Sequence, residues 1–273
     1  MHKVLKITNK YIILATVLIL YSLITNIYAV CFASAKTNIA GIIIAVLVLI
    51  LMSGAFFAGW FKMIKDIVLE PEKDNSNSII KVFPEGVGEY FLPALGGILL
   101  TSAIFGIVGA ATFYFGLHFI GNPHIDWTKI TSISNNITAQ KEYLSSLSST
   151  QLAQILQWNQ LFIITVTTSY FLLFLYLPVL FFKTKNPFKA IWICLKDLFS
   201  KKILMTSGVF FLIFFANLIV SVFSALTMGN TIANFIATLL GFYILTASAV
   251  GLFEYYNSKF MQSHLGQNID IKI

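Results

Sequence analysis

Six long apolar stretches, separated by short polar gaps, dominate the pattern of the chain. They cover residues 11–35, 39–61, 90–120, 161–182, 203–228 and 231–253, and none contains Lys, Asp or Glu. A helix needs about 20 residues to cross the roughly 30 Å hydrocarbon core of a bilayer. The pattern therefore predicts an all-α fold, a polytopic six-helix transmembrane bundle. It forms a single integral membrane domain over residues 1–273, with an outer loop at 121–160.

Composition agrees with this fold class. Hydrophobic residues make up 58% of the 273 residues, and charged residues only 11%. A soluble domain carries about 25% charged residues, so a soluble globular fold is disfavoured. A transmembrane β-barrel would need segments of about ten residues with alternating hydrophobicity. The apolar stretches do not alternate in this way.

Lysines gather in every second gap, and all 18 basic residues are lysines. Only Lys36, Lys129 and Lys141 fall in the other gaps, which leaves 15 on one side. Loops rich in Lys stay on the cytoplasmic side of a membrane, so both termini are predicted to be cytoplasmic, in the cell membrane (inner or plasma membrane). One alternative stays open: Ala33-Ser34-Ala35 resembles a signal-peptide cleavage site, and cleavage would leave five spans.

The gap at residues 183–202 predicts an amphipathic helix at the cytoplasmic interface. Asn186 is suited to the N-cap, and Pro187 to the first helical position. Apolar residues then recur with helical spacing on one face, at Phe188, Ile191, Trp192, Leu195, Leu198 and Phe199. Surface lysines attract anionic lipid. The candidate contacts with anionic headgroups are therefore Lys189, Trp192, Lys196, Lys201 and Lys202.

We call such an interfacial helix between two spans an elbow. A weaker version of the same pattern precedes the third span. Asn77-Ser78 comes before Ile79, Ile80 and Phe83, and Pro84 is expected to break the helical run. Glu85 and Glu89 follow at i, i+4 spacing and form a candidate cation site. The simpler alternative is that carboxylates in the first turn of a helix interact favourably with its dipole.

Small and polar residues inside the spans predict how the helices associate. Small residues four apart allow close helix packing, and their positions in spans 2, 3 and 6 predict that these three helices form the centre. The pairs are Gly54/Ala58, Ala55/Gly59, Gly106/Ala110, Ala237/Gly241 and Ala247/Gly251. Asn26 and Asn217 are the deepest polar residues, and they serve either as interhelical hydrogen-bonding groups or as the lining of a polar path.

The residues from Asn186-Pro187-Phe188-Lys189-Ala190-Ile191 to Lys201-Lys202, together with Gly59 and Phe83, resemble a known pattern. The chain is similar to the YciC-like superfamily of bacterial six-span membrane proteins. Relatives of that superfamily include the membrane domain of some glycerophosphodiester phosphodiesterases. The resemblance implies a six-span fold. It carries no catalytic activity over, because the sequence has no counterpart of the soluble phosphodiesterase domain.

No catalytic or cofactor motif stands out in the chain. Proton-coupled transporters usually carry ionisable residues deep in their spans, and these spans have none near their midplanes. We therefore expect a non-enzymatic protein without cofactor, which acts through lipid or protein contacts in membrane homeostasis or as an accessory subunit. The expected partners are membrane lipids, with anionic headgroups at the inner face, and a protein partner or a second copy. Nucleic acid is not an expected partner. The alternative function is a small permease or lipid transporter.

Overall fold

The computed structural model describes residues 2–33, 39–71, 76–122, 128–129, 132, 136–227 and 229–262. Helices account for nearly all of this part of the chain, and it contains no β-strand. In chain order the helices are α1 (His2–Lys10), α2 (Ile13–Ala33), α3 (Ile39–Leu69), α4 (Ser76–Phe119), α5 (Ile137–Ser145), α6 (Ser149–Leu172), α7 (Tyr176–Phe182), α8 (Pro187–Leu198), α9 (Ile203–Leu226) and α10 (Thr231–Tyr256), which ends in a π-helical turn (Asn257–Met261).

Six segments of the described chain are helical, long and apolar enough to cross a membrane. They are Ile13–Phe32, Ile39–Leu69, Ile79–Phe119, Ser149–Phe182, Ile203–Leu226 and Thr231–Met261. The predicted all-α polytopic fold is thus confirmed, and the chain has the architecture of a multi-pass membrane protein. Of the proposed cleavage site, Ser34 and Ala35 lie outside the described residues.

The chain divides into two compact units. The first comprises Met1–Leu100 and Leu172–Ile273, and the second comprises Thr101–Phe171. In the first unit α10 is the central helix, since it contacts α1, α2, α3, α7 and α9. Its Phe253 ring stacks on Phe61 of α3 at 5.6 Å between ring centroids.

Pro84 does not break the helix before the third span, contrary to the prediction. Helix α4 runs without a break through both Pro84 and Pro93. The segment before the third span therefore forms the first turns of α4 and not a separate elbow helix. A proline inside a helix removes one backbone hydrogen bond, and packing from neighbouring helices can outweigh that loss. Helix α3 provides such packing, because Gly86 of α4 lies against Gly59 and the Ala58 carbonyl oxygen.

The fourth span, by contrast, does break near its proline. Helix α6 ends at Leu172 and α7 begins at Tyr176, two residues before Pro178. Pro178 has no N–H to donate to the carbonyl of Phe174, and its ring crowds that carbonyl. The span therefore has a turn at residues 173–175, just before Pro178.

The small residues do not all lie at the centre. Gly54 and Gly59 of α3 face Phe91, Leu95 and Phe83 of α4, whereas Gly241 of α10 faces Val220 of α9. A side chain added at Gly106 would meet no atom within 4 Å in the described part of the chain. Gly106 and Ala110 are both exposed, so close helix packing at this pair is not seen in the described part of the chain.

In the second unit, the end of α4 is tied to α6. The Trp158 indole N–H donates to the Gly121 carbonyl oxygen at 2.9 Å, and the Gln154 amide donates to the Ile120 carbonyl oxygen at 3.0 Å. The Trp158 ring lies against Gly116, where a Cβ would clash with it. Gly121 has a φ of +86°, which favours glycine. These bonds satisfy carbonyl groups that the helix end leaves unpaired.

Candidate functional site at the lysine-rich ends of the helices

The elbow helix α8 forms as its local sequence predicts. Asn186 has an extended backbone, and its side-chain oxygen accepts a hydrogen bond from the backbone N–H of Lys189 at 3.1 Å. Pro187 occupies the first turn, where its missing N–H leaves no hydrogen bond unmade. The predicted N-cap is therefore confirmed.

One face of α8 packs against the protein. Ala190, Cys194 and Leu198 recur every four residues and are fully buried. The Cys194 thiol donates to the Leu172 carbonyl oxygen at 3.3 Å, at the point where the turn after α6 frees this carbonyl. Burial raises the pKa of the Cys194 thiol to about 12. The predicted single apolar face is wrong for Leu198, which lies on this buried side.

The opposite side of α8 is exposed, and it carries large aromatic side chains beside lysines. Phe188 and Trp192 are each 73% exposed, and Phe199, the residue after the helix, is 62% exposed. Lys189 and Lys196 are exposed beside them. We call this surface the elbow face: Phe188, Lys189, Trp192, Lys196 and Phe199. Aromatic rings next to ammonium groups are typical of helices that lie in a membrane interface.

Asp197 fixes the elbow to two other helix ends. Its carboxylate accepts hydrogen bonds from the Lys183 ammonium at 2.9 Å and from the Tyr256 hydroxyl at 2.5 Å. The Lys183 ammonium also lies 5.4 Å from the centre of the Tyr256 ring. The side chains of Lys183 and Asp197 are only 21% and 14% exposed, so the two charges depend on each other for stabilisation. The orientation of the elbow face follows from this anchor.

The two lysines at the end of the gap have different surroundings. Lys201 is exposed. The Lys202 ammonium donates to the Lys259 carbonyl oxygen and lies 4.7 Å from the centre of the Phe260 ring. Lys259 and Phe260 belong to the π-helical turn that ends α10. Lys202 therefore joins the start of α9 to the end of α10, and only Lys201 extends the exposed basic surface.

In the structure, the two carboxylates of the candidate cation site, Glu85 and Glu89, have different surroundings. A carboxylate oxygen of Glu89 lies 3.0 Å from the Lys185 ammonium, whereas Glu85 is exposed. Beside this pair, the Tyr90 hydroxyl accepts a hydrogen bond from the Lys65 ammonium at 2.8 Å. The described residues contain no cluster of three or more His, Cys, Asp or Glu side chains suited to a metal ion. The cation that Glu89 holds is thus a lysine of this chain.

Asn26 and Asn217 are not joined in a common polar path. The Asn217 amide donates to the Ile213 carbonyl of its own helix at 2.8 Å and to the Ser248 hydroxyl of α10 at 3.1 Å. Asn217 therefore links two helices. Among the described residues, the Asn26 amide donates to the carbonyl and hydroxyl oxygens of Ser22, one turn earlier in the same helix.

The short helix α1 was missed from the sequence. Its Lys3 ammonium pairs with Glu254 of α10 at 2.5 Å, and its Asn9 side chain accepts a hydrogen bond from the Tyr243 hydroxyl at 2.6 Å. Helix α1 thus lies along α10 instead of forming a free basic tail. A signal for it was present, since apolar or buried residues recur with helical spacing at Val4, Ile7, Thr8 and Tyr11.

A shallow apolar groove of about 230 Å³ lies in the first unit, between α2, α3 and the start of α4. Its lining residues are Val17, Met63, Ile80, Phe83 and Pro84. Neither Asn26 nor Asn217 lines this groove. Its walls carry no group that would recognise a polar solute.

No family model matches the chain, and no curated protein and no solved structure matches it.

Proposed function

We propose that the chain is a non-enzymatic integral protein of the cell membrane, with both termini in the cytoplasm, that acts through contacts with anionic lipid headgroups at the inner face. One observation carries the proposal: the elbow face exposes Phe188, Trp192 and Phe199 beside Lys189 and Lys196 on a helix whose other side is anchored. The lysine bias supports the cytoplasmic placement of this surface. The resemblance to YciC-like membrane proteins implies the six-span fold and no specific role.

The elbow face suits an anionic membrane surface for two physical reasons. Insertion of large aromatic side chains at headgroup depth is favourable in free energy, because their rings leave water. Each lysine near an anionic surface contributes about 1 kcal/mol before screening by salt. The three exposed lysines, Lys189, Lys196 and Lys201, therefore contribute about 3 kcal/mol together. Lys202 contributes less, because its ammonium already binds the Lys259 carbonyl.

The test measures which lipids stay bound to the purified chain. After reconstitution with equal amounts of phosphatidylglycerol and phosphatidylcholine, native mass spectrometry should show enrichment of phosphatidylglycerol. Replacing Lys189, Lys196 and Lys201 by glutamine should remove most of this enrichment. The matched control is Lys141→Gln, because Lys141 is exposed in α5, on the side predicted to face outward. Unchanged enrichment in the triple variant, with a folded protein, would refute the proposal.

A small permease or lipid transporter is the second candidate. The apolar groove beside α2, α3 and α4 favours it, since a lipid chain could enter such a groove. We rank it second because the two deep asparagines bind separate partners. A scrambling assay with a fluorescent phospholipid in vesicles separates the candidates, since only a lipid transporter accelerates exchange between leaflets.

A further inference from the structure

Lys65 of α3 is a half-buried cation that forms no ion pair with a carboxylate in the described part of the chain. Two lysines of comparable burial each have such a partner. Lys62 pairs with Asp66 at 2.6 Å, and Lys183 pairs with Asp197 at 2.9 Å. Charges that leave water are normally paired, because the loss of hydration is costly. Lys65 therefore differs from its neighbours in lacking an anion.

The Tyr90 hydroxyl holds the Lys65 ammonium in place. It accepts a hydrogen bond from this ammonium at 2.8 Å and donates its own proton to the Phe181 carbonyl oxygen at 3.2 Å. The Lys65 ammonium also lies 5.3 Å from the centre of the Tyr90 ring and 6.0 Å from that of Phe182. An ammonium has three N–H groups, and the described residues provide a hydrogen-bond acceptor for one of them. Two N–H groups are therefore left for a ligand.

The charges around Lys65 do not cancel. Two carboxylates act on it from nearby, Asp66 and Glu89. Each is bound by another lysine, since Lys62 holds Asp66, and Lys185 lies 3.0 Å from Glu89. The three lysines and two carboxylates together carry one positive charge in excess. The Lys185 side chain is 56% exposed and its ammonium lies 5.2 Å from the centre of the Tyr90 ring, so the cluster is open to its surroundings on this side.

We propose that Lys65, with Lys185 beside it, is a binding site for one phosphate group, such as the phosphodiester of a phospholipid. A phosphodiester carries one negative charge and two free oxygens, which match the excess charge and the two remaining N–H groups of Lys65. Lys65 lies four residues before the end of α3, about 6 Å along the helix, among the lysine-rich helix ends where headgroups are expected. The site recognises the phosphate itself and is separate from the elbow face, which responds to the net charge of the lipid.

The experiment measures ligand binding to the purified full chain by native mass spectrometry, in mild detergent after removal of endogenous lipid. Three probes are titrated separately: dilauroyl phosphatidylcholine, a glucosyl diacylglycerol with the same acyl chains, and inorganic phosphate. Phosphatidylcholine has no net charge, so the variant with glutamine at positions 189, 196 and 201 should bind it like wild type. A failure of this proposal is therefore distinguishable from a failure of the proposed function.

Wild type should bind one molecule of phosphatidylcholine. Lys65→Met keeps the length of the side chain but removes its charge and donors, so it should raise the apparent dissociation constant about tenfold or more. Lys65→Arg, which keeps the charge and the N–H donors, should restore most of the binding. The matched control is Lys81→Gln, because Lys81 is an exposed lysine near the start of α4, and this variant should bind like wild type.

The probes also identify the source of the phosphate. Phosphatidylcholine binding that depends on Lys65 assigns the site to a lipid headgroup. Binding of inorganic phosphate alone, with the same dependence, assigns it to a soluble phosphate, and either result supports the site. Three results would overturn the proposal: wild type that binds neither phosphate probe, equal binding of phosphatidylcholine and the glucosyl lipid, or unchanged binding of both phosphate probes by Lys65→Met that is folded by circular dichroism.

Discussion

Replacing Gly86 by alanine tests the crossing of α3 and α4, which positions the Glu89–Lys185 pair and the start of the third span. A Cβ on Gly86 would lie 2.6 Å from the Cβ of Lys62, 2.9 Å from the Ala58 carbonyl oxygen and 3.0 Å from the Cα of Gly59. Favourable carbon–carbon contacts lie at about 3.5–4.0 Å. Two of these three atoms belong to backbone, which cannot rotate away, so α3 and α4 must move apart by several tenths of an ångström.

Two opposing effects set the size of the change. Overpacking a close contact destabilises by about 1–3 kcal/mol. Alanine in place of glycine in a helix stabilises by about 0.8–1.0 kcal/mol. Gly86→Ala should therefore lower the free energy of unfolding by up to about 2 kcal/mol. Gly88, two residues along the same helix, has no atom within 4 Å of the corresponding position in the described structure, so Gly88→Ala should be neutral or stabilising by up to about 1 kcal/mol.

The assay compares the two variants with wild type by unfolding in mixed micelles of mild detergent and dodecyl sulfate, followed by circular dichroism. The two substitutions are chemically identical and lie in one helix, so helix propensity and detergent effects cancel in their difference. We expect Gly88→Ala to be more stable than Gly86→Ala by about 1–3 kcal/mol. Equal stabilities, or a more stable Gly86→Ala, would refute the close crossing of α3 and α4.

Three further predictions concern Asp197 of the elbow helix and the two cysteines. Asp197→Ala removes the acceptor of the Lys183 ammonium and the Tyr256 hydroxyl, so it should lower the free energy of unfolding by about 2–4 kcal/mol in the same assay. Asp197→Asn keeps an acceptor and should lower the free energy of unfolding by less. A decrease below about 0.5 kcal/mol in Asp197→Ala would contradict the anchoring role. At neutral pH, in membranes permeabilised so that a maleimide reaches both faces, the exposed Cys31 should be labelled and Cys194 should not, because the Cys194 thiol is buried and its pKa is raised to about 12. The folded chain keeps this thiol proton between about pH 9 and 12 while the unfolded chain loses it, so stability should fall as pH rises through that window, and fall less in Cys194→Ser.

Several features could be predicted from the sequence because their physical causes are local. A span needs only an uninterrupted apolar run of sufficient length, and six such runs are present. The N-cap at Asn186 needs one side chain and the N–H three residues later. The break before Pro178 follows from the missing proline N–H. Helix α1 belongs to the same class, since the spacing of Val4, Ile7 and Tyr11 was available.

The partners of the candidate site residues depend on contacts between distant parts of the chain. Lys202 was grouped with the exposed lysines, yet its ammonium binds the carbonyl of Lys259. Glu89 was paired with Glu85, yet Lys185 holds its carboxylate. Local spacing carries no information on such pairs, because residues many turns apart meet only when the helices have packed.

Which face of each helix points inward was also decided by the tertiary structure alone. In water, polar residues mark the outside of a helix, but in a bilayer the lipid is as apolar as the protein interior. Leu198 and Trp192 are therefore both compatible with either side of α8, and only packing buries the first and exposes the second. For the same reason Asn26 and Asn217 look alike in the sequence. Their different environments arise because the Asn217 amide reaches Ser248 on the next helix, whereas the Asn26 amide bonds to Ser22 of its own helix.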